Sequence, residues 1–375
     1  MNAILTRRGK RGHKLFMDTT IRSCLLVLTF IAVTASLYFT RDLITPFALA
    51  IFIWLIIDTF ARWMDGLSPK LPYWLALTVA ILTVVASIVG IILIIADTAG
   101  SVADQAPRYG ERLNEIFGWV GGLIGNDDLS IGSLIASLEL EDKMKSGLAG
   151  FAGSVQGVLS NLATIAIYVA FLFAAQSTFP KKMDDLFPDK SGRAQATKVF
   201  ARIRTSVEKY IGVQTIISLM QTVISYAIMA AVGLENALFW ALVIFILNYI
   251  PIVGGLAAIV LPVAFGLVQF ETLTPIIILA GGLFGAQFII GNTIQPKMMG
   301  DSMNLSALVV VLSLTLWYAL WGGVGAFLSA PLTVIIMIIL AQFPTTRWIA
   351  VLLSADGEPD MDEMEKKAAK ATPSM

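Results

Sequence analysis

The residues of this chain best suited to chemistry are amides and glycines rather than acids, bases or nucleophiles. Between Ile244 and Pro262 an apolar run is interrupted by Asn248, Tyr249, Pro251, Gly254 and Gly255. Proline removes a backbone donor and clashes with the preceding turn, and paired glycines leave the backbone pliable, so a helix is predicted to break there. Lipid cannot satisfy the freed N–H and C=O groups, and such backbone is tolerated where it is buried in protein or lines a cavity. The break therefore predicts a solute site built from Asn248, Tyr249, Pro251, Gly254 and Gly255. Gln295 and Pro296 join it from a second polar interruption, Asn292-Thr293-Ile294-Gln295-Pro296-Lys297. The competing reading is a proline kink that only shapes packing. Amides repay the desolvation of a neutral polyol with hydrogen bonds and carry no fixed charge, so this lining suits a small neutral polar solute better than a bare ion. Of the other neutral polar residues, Gln214, Gln221, Gln287 and Asn292, the first two are read as interhelical glue.

Four carboxylates are candidates for ion coupling: Asp58, Glu235, Glu271 and Asp301. All fall at the ends of predicted segments, where capping or solvation is the plainer role; a buried carboxylate would be a functional flag. The single histidine, His13, lies in a basic tail and the single cysteine, Cys24, in an apolar run, which excludes an intrachain disulfide and a cysteine-built metal site. There is no phosphate-cradling glycine loop, no zinc-site histidine pair and no serine elbow with a histidine partner. We expect no enzyme, no cofactor and no metal, and a net charge of zero gives no reason for a nucleic-acid partner.

The elements that must position these residues are membrane helices. Hydrophobic residues make up 57% of the 375 and charged ones 14%, against about 25% charged in an ordinary soluble domain. The fold class is all-α, a polytopic transmembrane bundle of about eight membrane segments, with the lipid bilayer as its first partner. A basic tail over 1–22 precedes three segments within 23–96. A polar excursion over 97–154 carries nine acidic residues against four basic ones, with a predicted amphipathic helix from Arg112 to Ile124. A fourth segment over 155–176 leads to a basic amphipathic loop, 177–209, whose Val199, Ile203, Val207 and Tyr210 recur at helical spacing. The region 210–344 holds the predicted site, and the tail 345–375 ends in a charged stretch read as disordered. The positive-inside rule puts the N-terminus and the basic loop in the cytoplasm and the excursion outside.

Two segments are too long for one crossing. Residues 236–270 and 305–343 contain 35 and 39 residues without a charge; as straight helices they would reach about 52 and about 58 Å, against a hydrocarbon core of about 30 Å. Each must be a tilted broken helix or a hairpin. If both cross once or both fold back, the C-terminus is cytoplasmic. Gly281 and Gly285, and Gly322 with Ala326, are small-xxx-small pairs that predict close helix approach within or between protomers, and Gly322, Gly325 and Pro331 mark a hinge in the last long segment.

These motifs also carry a resemblance. Asn248-Tyr249-Ile250-Pro251-Ile252-Val253-Gly254-Gly255, then Pro296 and Gly300, then Trp321-Gly322-Gly323-Val324-Gly325 and Pro331-Leu332 resemble the signature series of the autoinducer-2 exporter family of bacterial membrane transporters. The resemblance covers about Ile21 to Leu353, with one departure at Ser306-Ala307, where family members commonly carry a proline. It implies export or exchange of a small polar solute across the bacterial inner membrane, the quorum-sensing signal autoinducer-2 for some relatives and sodium–proton antiport for others. It also implies a homo-oligomer, pentamers among them. A non-transporting membrane scaffold is the reading from another class.

Overall fold

A computed structural model describes residues 21, 24–25, 27–67, 72–94, 97–98, 160–299 and 304–359. The excursion beyond Thr98, its predicted 112–124 helix, Asp301 and the tail from Asp360 lie outside the described residues. The helices are α1 (Val27–Phe39), α2 (Arg41–Leu67), α3 (Tyr73–Ile94), α4 (Leu162–Gln176), α5 (Phe179–Leu186), α6 (Lys190–Ala231), α7 (Ala237–Leu247), α8 (Val253–Gln269), α9 (Leu273–Ile289), α10 (Gln295–Met299), α11 (Ala307–Ala341) and α12 (Arg347–Leu353). A five-residue π turn, Ile290–Ile294, joins α9 to α10. Among the described residues five helices are long and apolar enough to cross a membrane, or six if the bent pair α4–α5 counts as one. The chain is an all-α membrane bundle.

Helix α6 is the axis. Its 42 residues, about 63 Å, start where the Asp189 carboxylate accepts from the Gly192 N–H at 3.0 Å. It runs unbroken through Lys209–Tyr210, so the amphipathic helix of the basic loop and the fifth apolar segment are one element. Its apolar stripe continues inward: Val207, Tyr210 and Ile211 are buried against Phe52 and Leu55 of α2 and Leu328 and Ala330 of α11.

Both over-long segments fold back on themselves. Trp240 and Phe265, 25 positions apart, have ring centroids 5.3 Å apart, and the Gln269 amide clasps the entry of the segment, donating to the Gly233 carbonyl at 2.8 Å and accepting from the Glu235 N–H at 2.7 Å. Helices α7 and α8 are therefore the arms of a hairpin whose tip is Asn248–Ile252. In the second, Trp317 Nε1 donates to Thr333 Oγ1 at 3.2 Å, and Leu305 packs beside Met337 and Ala341. The reversal within α11 occurs at Gly322, with φ 62° and ψ −142°, a conformation that only glycine adopts at little cost.

The hairpins enter from opposite ends of α6. The base of the first sits beside Met229 and its tip reaches back to Tyr210 and Ser218. The base of the second, at Ala341, lies beside Gln195–Arg202, while Leu328 and Ala330 lie against Val207–Ile211. Where they pass, the Tyr249 and Phe327 rings stand 5.0 Å apart. Trp321 ties the second tip to α1, donating to the Leu37 carbonyl at 3.3 Å.

A Cβ at Gly325 would lie 1.9 Å from the Trp317 carbonyl oxygen, whereas one at Gly212 meets nothing within 4 Å among the described residues. Gly325→Ala should lower unfolding stability in detergent by about 3 kcal/mol or more, and Gly212→Ala should stay within about 0.5 kcal/mol of wild type. Equal thermal midpoints for the two variants would remove the hairpin turn assigned here.

Candidate transport site

The first hairpin tip is held by one face of α6. Tyr210, Gln214, Thr215 and Ser218 recur at intervals of four, one and three, which a helix turns toward the same side. Gln214 Nε2 donates to the Asn248 carbonyl at 2.6 Å, Asn248 Nδ2 donates to Ser218 Oγ at 3.1 Å, and the Tyr249 and Thr215 hydroxyls lie 2.7 Å apart. The Tyr210 hydroxyl donates to the Tyr249 carbonyl at 3.4 Å. Gln214 thus has the glue role expected of it, with the broken backbone as the thing glued.

Beyond the tip the chain makes a tight reversal. Ile252 has φ 67° and ψ −51°, and the Val253 N–H donates to the Pro251 carbonyl at 2.7 Å. This is the rarer γ-turn, strained for any side chain and most of all for a β-branched one. Gly254 follows under necessity: a Cβ there would lie 2.3 Å from the Leu247 carbonyl oxygen. At Gly255 a Cβ would lie 2.5 Å from Gln287 Nε2, so this glycine makes room for the Gln287 amide.

The space so framed is a cavity of about 490 Å³, lined by Tyr210, Gln214, Asn248, Tyr249, Pro251, Gly255, Gln287 and Gln295 among others. Five of the seven predicted site residues line it: Asn248, Tyr249, Pro251, Gly255 and Gln295. Gly254 is buried beneath the turn, and Pro296 is exposed beside it. The predicted polar break at 292–297 is a π turn within a continuous helical path. Pro296 lacks the N–H that would bond the residue 292 carbonyl, and its ring crowds that carbonyl, which favours the wider turn. Eight residues of regular helix turn about 800°, leaving Gln287 and Gln295 some 80° apart; the extra residue of a π turn brings them to within about 20°. Both amides therefore face the cavity. Gln287 is the residue that sequence reasoning noticed and passed over. Its Oε1 is buried with no hydrogen-bond partner among the described residues, and its spacing of eight from Gln295, the residue before Pro296, was the available signal.

Of the carboxylates, Glu235 and Glu271 lie between helices as expected, and Asp58 departs from expectation. Asp58 does not end a segment, since α2 runs on to Leu67, and its side chain is fully buried. It accepts from Arg62 Nε at 2.8 Å, Tyr73 Oη at 2.7 Å and Gln176 Nε2 at 3.4 Å, and pairs with the Arg204 guanidinium. Arg204 also reaches Glu208 at 2.6 Å and lies over the Trp54 ring. The i, i+4 spacing of Asp58 and Arg62 was legible; Arg204, 146 positions away, was not. This cluster joins α2, α3, α4 and α6 and lies outside the cavity. Glu235 sits at the base of the first hairpin and Glu271 is exposed in the turn before α9. Of the predicted packing residues, Gly322 and Gly325 form the second tip and Pro331 is buried in its returning arm, while a Cβ added at Gly281 or Gly285 would meet nothing within 4 Å among the described residues.

Crossing helices around two opposed hairpins, with an amide-lined cavity under one tip, make the architecture of a multi-pass membrane transporter. The sequence agrees, for residues 27–345 match the AI-2E family transporter profile, and the chain belongs to that family. It is 31% identical over 342 residues to a transport protein of Haemophilus influenzae, covering 88% of this chain and 96% of that one. It is 28% identical over 326 residues to the AI-2 transport protein TqsA of Escherichia coli K12, covering 86% and 93%. It is 23% identical over 359 residues to a sodium-lithium/proton antiporter of Halobacillus andaensis, covering 89% and 99%.

Removing the Asp58 charge takes charge-assisted hydrogen bonds from a buried side chain, while its partners Arg62 and Arg204 keep 52 and 28% of their side-chain surface exposed, a loss of about 1–3 kcal/mol. Asp58→Asn should lower unfolding stability by that amount, whereas Glu271→Gln should change it by less than about 0.5 kcal/mol. Chemical denaturation in a fixed detergent reads both, and an Asp58→Asn protein as stable as wild type would show that the cluster holds nothing together.

Proposed function

We propose that this protein is a secondary transporter that exports a small neutral polar solute across the bacterial inner membrane, with autoinducer-2 as the first solute to test. The observation that carries this is the polar part of the cavity lining: four carboxamides and two tyrosines set among Ile250, Ile252, Leu256, Ile259, Met299 and Val310, with no carboxylate or basic side chain among its described residues. Such a surface exchanges a polyol's water for protein hydrogen bonds without stranding a charge. The opposed hairpins supply the moving parts, one tip closing the site toward each end of α6. Both termini are on the cytoplasmic side in this reading, because α6 and α9 cross in opposite directions and each hairpin returns to the side it entered. The open Gly281–Gly285 face of α9 supports contact with a second copy in a homo-oligomer.

The second reading, cation–proton antiport, is favoured by the fully buried Asp58 and by the name of the Halobacillus relative. Against it, the Asp58 carboxylate is already paired with two guanidiniums, which leaves a cation little to displace.

Gln287→Leu removes a cavity amide whose Oε1 has no hydrogen-bond partner among the described residues, so the fold should be kept. Losing one hydrogen bond to the solute, about 1–2 kcal/mol, should cut its efflux roughly tenfold. The assay is the partition of autoinducer-2 between cells and medium. If wild type and empty membrane give the same partition, autoinducer-2 is not the solute. If instead vesicles carrying the protein exchange sodium for protons and Gln287→Leu leaves that exchange intact, the antiport reading replaces this one.

A further inference from the structure

A second cavity, of about 510 Å³, lies beside the basic end of α6. Its walls bring Lys198 and Arg202, one helical turn apart, against Arg347 at the start of α12, and no acidic side chain is among its described lining residues. Arg202 is fixed in place, its Nη2 donating to the Pro359 carbonyl at 2.7 Å. All three cations have contacts within the chain, so a ligand would join an existing network and answer its summed charge.

The level of this cavity relative to a membrane follows from α11, which stays apolar to its last residue, Ala341, and Ala341 lines the cavity. The hydrocarbon layer must therefore end close to it. Directly beside it Phe343, Trp348 and Leu352 leave 56, 57 and 67% of their surfaces bare. Bare aromatic and aliphatic side chains flanking guanidiniums are what the headgroup layer accommodates, with aromatic rings among glycerol groups and cations at the phosphates. Arginine also matches phosphate oxygens with paired donors, which lysine supplements as a point charge.

We propose that this cavity binds the phosphate of an anionic phospholipid headgroup through Lys198, Arg202 and Arg347, with the acyl chains lying over Trp348 and Leu352. Basic pockets between membrane helices are suited to this role. The site is separate from the amide-lined cavity and does not depend on which solute that cavity takes.

The test is native mass spectrometry of the full-length protein in detergent, titrated with phosphatidylglycerol, with phosphatidylcholine, or with inorganic phosphate. Wild type should retain phosphatidylglycerol in preference to phosphatidylcholine. Lys198→Gln with Arg347→Gln, both at exposed positions, should weaken that retention on the order of thirtyfold. Arg202→Gln should weaken it as well. Equal retention of the two lipids, or an unchanged preference in the double variant, overturns the proposal. Inorganic phosphate binding with the same dependence on Lys198 and Arg347, without phosphatidylglycerol retention, assigns the site to a soluble anion and overturns the lipid. Phosphatidylglycerol retention seen only after truncation behind Pro359 assigns the cavity to the chain's own acidic run, Asp360 to Glu365, and overturns it too.

Discussion

Everything around the cavity depends on one constraint: backbone polar groups exposed by a broken helix inside an apolar bundle must find partners. The carbonyls of Asn248 and Tyr249 lose their helical donors at the hairpin tip, and α6 supplies Gln214 and Tyr210 in their place. These are side-chain donors, each able to let go by a rotamer change. An intrahelical bond has no such freedom. These two carbonyls are thus satisfied when the tip is docked, and the tip is attached by a few contacts of about 1 kcal/mol each, an energy scale on which an undocked minor state is populated.

The two hairpins solve the same geometric problem with different glycine chemistry. At the second tip Gly322 takes a backbone conformation that other residues avoid, and Gly325 lets the returning arm pass the Trp317 carbonyl. At the first, the strained position is held by Ile252, and the following Gly254 provides the clearance. Strain at a β-branched residue beside a cavity is the kind of local cost that persists where surrounding contacts over-determine the backbone. Here those contacts are the four polar side chains of α6.

Much of this was legible in the sequence, because apolar length, proline and paired glycine act locally. The 35 uncharged residues of 236–270 could not stand as one straight crossing, and Asn248 to Gly255 marked where the reversal falls. What escaped was set by distant partners. Asp58 reads as a segment end because the apolar run stops at Ile57, yet α2 continues to Leu67 because Arg62, Tyr73, Gln176 and Arg204 neutralise and bury the carboxylate. Gln287 escaped because its facing toward Gln295 depends on a π turn, and a 3.6-residue period projects the two onto different faces.

The return of each hairpin to its own entry side bears on how the chain is made. Of the apolar mass after Lys190, only α6 and α9 have to be threaded through the bilayer during synthesis; α7–α8 and α11 can be laid in afterwards from the faces on which they emerge. Until that happens the polar stripe Tyr210, Gln214, Thr215 and Ser218 on α6 lacks the hairpin tip that it later binds. The newly inserted protein must therefore pass through a stage in which these hydrogen-bonding groups face lipid, water or another chain, and the first hairpin acts as the last piece of the scaffold as well as the wall of the site.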